Sequence, residues 1–218
     1  MTRFLLAMVL MLSASLAQAA GSGGGGQAPR TVEQTPEQAA NSHYKSGLRY
    51  KKRAWKHEEK AAAASTAEKR EKLLAKAAKA FEKAVAQQLK AMQADPQHFE
   101  AANELGYGLR RLGGAKQAIE WYDLALQLKP DFFEAVEYRG EAYLATGNLD
   151  GAKAAYMELF RNDRALAEQL LDAMERWLVA QDGAAPAPQH SEFSAWVVER
   201  RELVELTRDV SLNQSRDW

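Results

Sequence analysis

The sequence predicts an all-α fold of stacked helical hairpins, the first of them elongated. Three observations predict it: a residue pattern that recurs at an interval of about 34 positions, helix start and stop signals through most of the chain, and no window with strand alternation. Of the 218 residues, 46% are hydrophobic, enough to bury a core. Basic and acidic residues number 29 each and there is no cysteine. The missing thiols exclude a disulfide scaffold, a Cys-ligated metal, a thiol nucleophile and a lipid-modified N-terminal cysteine. The even charge argues against a general nucleic-acid binder, which carries a basic excess.

Residues 1–19 read as a signal peptide. Arg3 gives a positive start, Phe4 to Leu16 is an apolar run, and Ala17-Gln18-Ala19 is an A-x-A cleavage site. A bilayer span needs about 20 apolar residues, so the run is too short for one. The protein is therefore expected to be exported, periplasmic or secreted, with no transmembrane segment after cleavage. Residues 20–34 form a flexible glycine-rich linker. It lacks the Lys-Ser/Thr of a phosphate-binding loop.

Residues 35–95 predict a long hairpin. Thr35-Pro36-Glu37-Gln38 is a capping box with proline in the first turn, opening a helix to about Ala63. Its inward face is expected to hold Ala40, Tyr44, Gly47, Leu48, Ala54 and Trp55. Ser65-Thr66-Ala67-Glu68 reads as a second capping box, opening a helix to Ala94 with Leu74, Ala77, Phe81, Ala84, Val85, Leu89 and Met92 on one stripe. Asp95-Pro96 stops it. Shorter helices follow in residues 96–130 and 131–164, punctuated by Gly113-Gly114, Pro130 and Gly147-Asn148. A capping helix occupies residues 165–180, an Ala/Pro-rich linker 181–190, and an amphipathic helix capped by Ser191, with a tail, 191–218.

Charge divides unevenly. Residues 20–95 carry 15 basic and 8 acidic side chains, residues 96–180 carry 9 and 14, and residues 181–218 carry 4 and 7. The basic segment Lys45 to Lys60, with Tyr50 and Trp55, suggests a second class of function: a structural envelope component attached to membrane or wall polymer. Long basic stems packed on aromatics explain the same residues without a ligand.

The repeat is the strongest signal. Ala102-x2-Leu105-Gly106-x2-Leu109 and Ala118-x3-Tyr122-x2-Ala125-x4-Pro130 reappear one interval later as Val136-x2-Arg139-Gly140-x2-Tyr143 and Ala152-x3-Tyr156-x2-Leu159. Small residues let two helices approach, the aromatic fills the space between them, and proline stops the second. This pattern resembles the tetratricopeptide repeat family. In residues 35–95, Gly47 and Ala84 match Gly106 and Ala118, but stand 37 rather than 12 apart. The extra length would project as a helical extension. The resemblance implies a stack of hairpins forming a right-handed superhelix, and a non-catalytic adaptor or scaffold that binds a partner protein or peptide on the concave face.

The resemblance places that face on the first helix of each repeat: Asn41, Tyr44, Leu48 and Lys51; then Glu100, Asn103, Tyr107, Arg110 and Arg111; then Glu134, Glu137, Glu141 and Leu144. The family's clamp for a C-terminal carboxylate needs basic residues on the first helix of the third repeat. Glu134, Tyr138 and Glu141 stand there, so the clamp is not implied. The three glutamates predict one acidic stripe, suited to a basic or extended neutral segment, or simply a solvated helix face. Phe193, Trp196, Val197, Leu203 and Val204 give the last helix an apolar side, which can cap the last repeat, lie in the groove or dock on another chain. A homodimer through Trp55 or that helix is compatible with the sequence. No catalytic motif is present, and His57-Glu58-Glu59 point in diverging directions on a helix. Neither metal, cofactor nor enzymatic activity is expected.

Overall fold

The computed structural model describes residues 34–181 and 188–214. The expected signal peptide, most of the glycine-rich linker and the middle of the Ala/Pro-rich linker lie outside the described residues. Eight α-helices and no strand occur among the described residues: α1 (Pro36–Ala62), α2 (Ala67–Ala94), α3 (Phe99–Arg111), α4 (Ala115–Leu128), α5 (Phe133–Thr146), α6 (Leu149–Asn162), α7 (Arg164–Gln181) and α8 (Pro188–Gln214). Consecutive helices pack as hairpins, and each hairpin packs on the next through α2–α3, α4–α5 and α5–α7 contacts.

Local chemistry sets the ends. The Thr35 hydroxyl accepts from the Gln38 amide (3.2 Å) while the Gln38 side chain accepts from the Thr35 amide (3.0 Å). The cap of α2 is Thr66, which accepts from the Lys69 amide at 3.2 Å. The expected Ser65–Glu68 box is thus displaced by one residue, because Thr66 takes the extended cap conformation. Asn148 caps α6 and Asp163 caps the start of α7. Gly147 closes α5 in a left-handed conformation (φ 74°), which favours glycine. The last helix begins at Pro188, not at Ser191, since the fixed φ of proline suits a first helical turn.

Close approach of α1 to α2 relies on alanine. Ala40, Ala54 and Ala61 meet a stripe of Ala77, Ala80, Phe81, Ala84, Gln88 and Ala91, all buried. Leu74 and Leu89, expected on that stripe, are exposed. The stripe passes through positions 77, 81, 84 and 88; Leu89 lies about a quarter turn off it, and Leu74 stands nearer the stripe but toward the N-terminal end of α2, before its first buried residue, Ala77. Gln88 takes the inward position that Tyr122 and Tyr156 take in the second and third hairpins. Its amide donates to the Tyr44 carbonyl at 3.4 Å.

In the second hairpin the tight fit runs as expected: a Cβ on Gly106 would lie 2.7 Å from the Tyr122 ring. In the third it differs. A Cβ on Gly140 would strike Leu170 of α7 at 2.6 Å, with Ala155 next, rather than Tyr156. The packing partner of that glycine comes from the following helix. The main core joins α5, α6, α7 and α8 around Val136, Tyr156, Leu159, Leu170, Leu171, Met174, Phe193 and Val197.

Candidate functional site: a groove across the first helices

A groove of about 460 Å³ crosses α1, α3, α5 and α7, the first helix of each hairpin. Its walls are Trp55, Tyr107, Arg110, Arg111, Glu137, Tyr138, Glu141, Gln169, Asp172 and Arg176. An α-helix presents one residue to the same face every three or four positions. Residues 107, 110 and 111 on α3 and 137, 138 and 141 on α5 therefore emerge together.

Tyr107 organises the α1 side. Its hydroxyl accepts from the Trp55 indole at 2.8 Å and from Arg111 Nη1 at 3.2 Å. Lys51 Nζ sits 4.8 Å from the Tyr107 ring and 4.9 Å from the Trp55 ring, and forms an ion pair with Glu104 at 2.5 Å. Tyr107 and Tyr138 rings lie 5.2 Å apart, and the Arg110 guanidinium is 5.4 and 5.8 Å from them. Arg110 pairs with Glu141, and Arg111 with Glu58. On the far wall Asp172 bonds Arg201 of α8 at 2.5 Å. Arg176 has no ion pair among the described residues.

Glu137 stands apart. It is only 3% exposed, and no described side chain donates a hydrogen bond to its carboxyl. Burial, reinforced by Glu141 and opposed by Arg110 and Arg176, pushes its pKa up to about 8. At neutral pH it is mostly a protonated acid, a hydrogen-bond donor. Burial likewise raises Tyr138.

Five of the residues expected on the concave face line the groove: Tyr107, Arg110, Arg111, Glu137 and Glu141. Four do not. Tyr44 is half-buried with its ring 4.9 Å from His98, and burial and then Glu104 raise its pKa to about 12. Leu48 is half-buried, Asn103 is buried with Oδ1 unpaired, and Glu134 lies outside the groove. The acidic stripe is broken up: Glu134 is solvated, Glu137 is buried and favours its neutral form, and Glu141 is consumed by Arg110. Tyr138, which the sequence sets at the clamp position of the third repeat, also lines the groove, whereas Gln169, Asp172 and Arg176 of α7 and Trp55 of α1 were not expected on this face. Asp172 stands one repeat interval beyond Tyr138, so carrying that interval into α7 would have found it.

The last helix lies against the end of the stack. Phe193 and Val197 are buried, Leu203 is half-buried, and the Trp196 ring meets Tyr156 of α6 edge-on at 5.3 Å. Arg201 binds Glu175 of α7 at 2.7 and 2.8 Å. Val197 also borders a second, mainly apolar cavity of about 790 Å³ between α7 and α8, which shares no lining residue with the groove.

Sequence comparison agrees with this architecture. Residues 139–166 match the family model described as tetratricopeptide repeat. Among solved structures, the first tetratricopeptide-repeat domain of Spaghetti (RPAP3), bound to an HSP90 peptide SRMEEVD, is similar at 20% identity. The similarity covers 61% of this chain and 94% of that one, with a TM-score of 0.41. Curated proteins yield no match. The matched segment runs from the second half of α5 through α6 into the start of α7, and helical hairpins stand on either side of it.

Proposed function

We propose that the protein is a non-catalytic adaptor that holds an extended segment of a partner protein in the groove across α1, α3, α5 and α7. One observation carries this reading: the groove offers hydrogen-bond donors and aromatic faces along the first helices of successive hairpins. Gln169, Arg176 and the protonated Glu137 present donors, and Trp55, Tyr107 and Tyr138 present rings. Such donors suit the carbonyl oxygens of an extended backbone. The groove is held by hydrogen bonds and ion pairs between helices, so little ordering entropy is lost on the protein's side when a partner binds. The N-terminal pattern of Arg3, the apolar run and Ala17-Gln18-Ala19 supports action in an exported compartment.

Affinity capture from that compartment tests the reading with two surface variants, Gln169→Trp and Arg176→Glu. Both positions are exposed, so the fold tolerates the changes. A stoichiometric partner should be recovered by the native chain and reduced at least tenfold by either variant. Equal recovery by all three proteins would overturn it.

A further inference from the structure

We infer that the α1–α2 hairpin carries a binding site for a phosphate-class oxyanion, seated between Arg53, Lys76, Lys79 and Lys83. The two helices form a cavity of about 170 Å³, lined by Tyr50, Arg53 and His57 from α1 and by Lys76, Lys79, Ala80 and Lys83 from α2. On each helix these positions follow the spacing i, i+3, i+7, so they form two facing stripes. No acidic residue lines the cavity.

Ion pairing separates these cations from others in the chain. Lys51 of the same hairpin is paired with Glu104, and Arg110, Arg111 and Arg139 each have a carboxylate. Arg53, Lys76, Lys79 and Lys83 have no ion pair among the described residues. Two of the four are positioned by an aromatic ring: the Arg53 guanidinium and Lys83 ammonium lie 5.4 and 5.9 Å from the Tyr50 ring centroid. His57, between the stripes, has its Nδ1 buried and without a hydrogen-bond partner. The arrangement brings four like charges and an unsatisfied imidazole nitrogen to one small concavity. A compact anion with several acceptor oxygens meets the four cations together.

The side-chain chemistry selects the class. Four cations around one small concavity call for an anion with several charged oxygens, as in a phosphate, rather than the single charge of a carboxylate. Residues 36–94 carry 14 basic and 6 acidic side chains, a field that draws polyanions to this end of the chain. A phospholipid headgroup and a soluble polyphosphate share the required chemistry. This site is independent of the groove and stands or falls separately from the adaptor reading.

The test uses the full chain. Vesicles of phosphatidylcholine and phosphatidylglycerol in a 3:1 ratio probe the lipid source, with pure phosphatidylcholine vesicles as the blank for any uncharged attachment. Sodium tripolyphosphate, followed by calorimetry, probes the soluble source. Each is measured at 50 and 300 mM salt. One variant removes the cavity's lysines (Lys76→Gln, Lys79→Gln, Lys83→Gln). A control removes three cations of the same hairpin outside it (Lys69→Gln, Arg70→Gln, Lys72→Gln). We expect saturable binding to at least one probe, weakened roughly tenfold by the higher salt. The cavity variant should lose at least tenfold and the control less than threefold. Binding to anionic vesicles alone identifies a headgroup, and binding to tripolyphosphate alone identifies a soluble phosphate. Absence of binding to both probes at 50 mM salt, or equal losses in the two variants, would overturn the inference.

Discussion

The Trp55 indole donates to the Tyr107 hydroxyl over 2.8 Å, and Arg111 on the other side donates to the same oxygen over 3.2 Å. One phenolic oxygen thus ties the elongated α1 to α3 at the edge of the groove. Trp55 is 42% exposed, so its ring is held in a defined position while still facing solvent. An aromatic surface fixed by a hydrogen bond is pre-ordered for a partner.

Tyr107→Phe keeps the ring and removes the acceptor. The expected cost is about 1 kcal/mol, or a fall in Tm of roughly 2–4 °C for a chain of this size. The Trp55 indole proton should shift in the NMR spectrum at the same time. An unchanged indole resonance would show that the bond does not form in solution.

Glu137 makes a prediction about pH with a definite sign. Its pKa rises from 4.5 to about 8 on folding, so the folded chain holds a proton that the unfolded chain releases. The folded state is favoured where both forms are protonated, and that advantage is lost as pH rises from about 4.5 through about 8, at up to about 1.4 kcal/mol per pH unit. Glu137→Gln should match the native chain near pH 4 and melt higher than it at pH 8. Denaturation at a series of pH values reads this directly, and parallel curves for the two proteins would refute the buried, neutral acid.

Two glycines of α3 and its end separate packing from backbone strain. A methyl group at Gly106 meets the buried Tyr122 ring, while one at Gly113 meets nothing but sits at φ 88°. Gly106→Ala should cost about 1–3 kcal/mol by overpacking. Gly113→Ala should cost about 1–2 kcal/mol through its left-handed backbone alone. Urea melts should place both below the native chain, and full tolerance at Gly106 would mean that α3 and α4 are not packed as tightly as described.

At the other end of the stack, Phe193 is fully buried against α7, with its ring 5.8 Å from that of Trp177. Phe193→Ala should cost about 3–5 kcal/mol and expose the core of α5 to α7. Capture of the partner at a temperature where the variant remains folded should be unchanged, because Phe193 is not part of the groove. Tighter capture would instead place α8 in competition with the partner.

The repeat made the second and third hairpins legible, because Gly106, Tyr122 and their counterparts Gly140 and Tyr156 occupy packing positions that few residue types fit. It also brought out five groove residues, since the first helix of a hairpin faces the same way in each repeat. What stayed hidden depends on contacts across distant sequence. Gln88 fills the aromatic position of the first hairpin, and no local pattern announces a buried amide there. Glu137 resembled a solvated surface acid, because its burial comes from neighbouring helices and not from its own. Leu89 appeared inward for the complementary reason: hydrophobicity marked it, but the stripe through Gln88 left it outside. Arg176 was missed because α7 was read as a terminal cap, although it supplies the fourth wall of the groove.

Site-specific photocrosslinking tests the central claim most directly. A benzophenone amino acid at Gln169, exposed in the groove, is compared with the same group at Glu120, exposed on α4 outside it. The adaptor account predicts one discrete crosslinked partner from position 169, none from position 120, and loss of the adduct when Arg176→Glu is added. Equal adducts from both positions, or an adduct from position 120 alone, would contradict it.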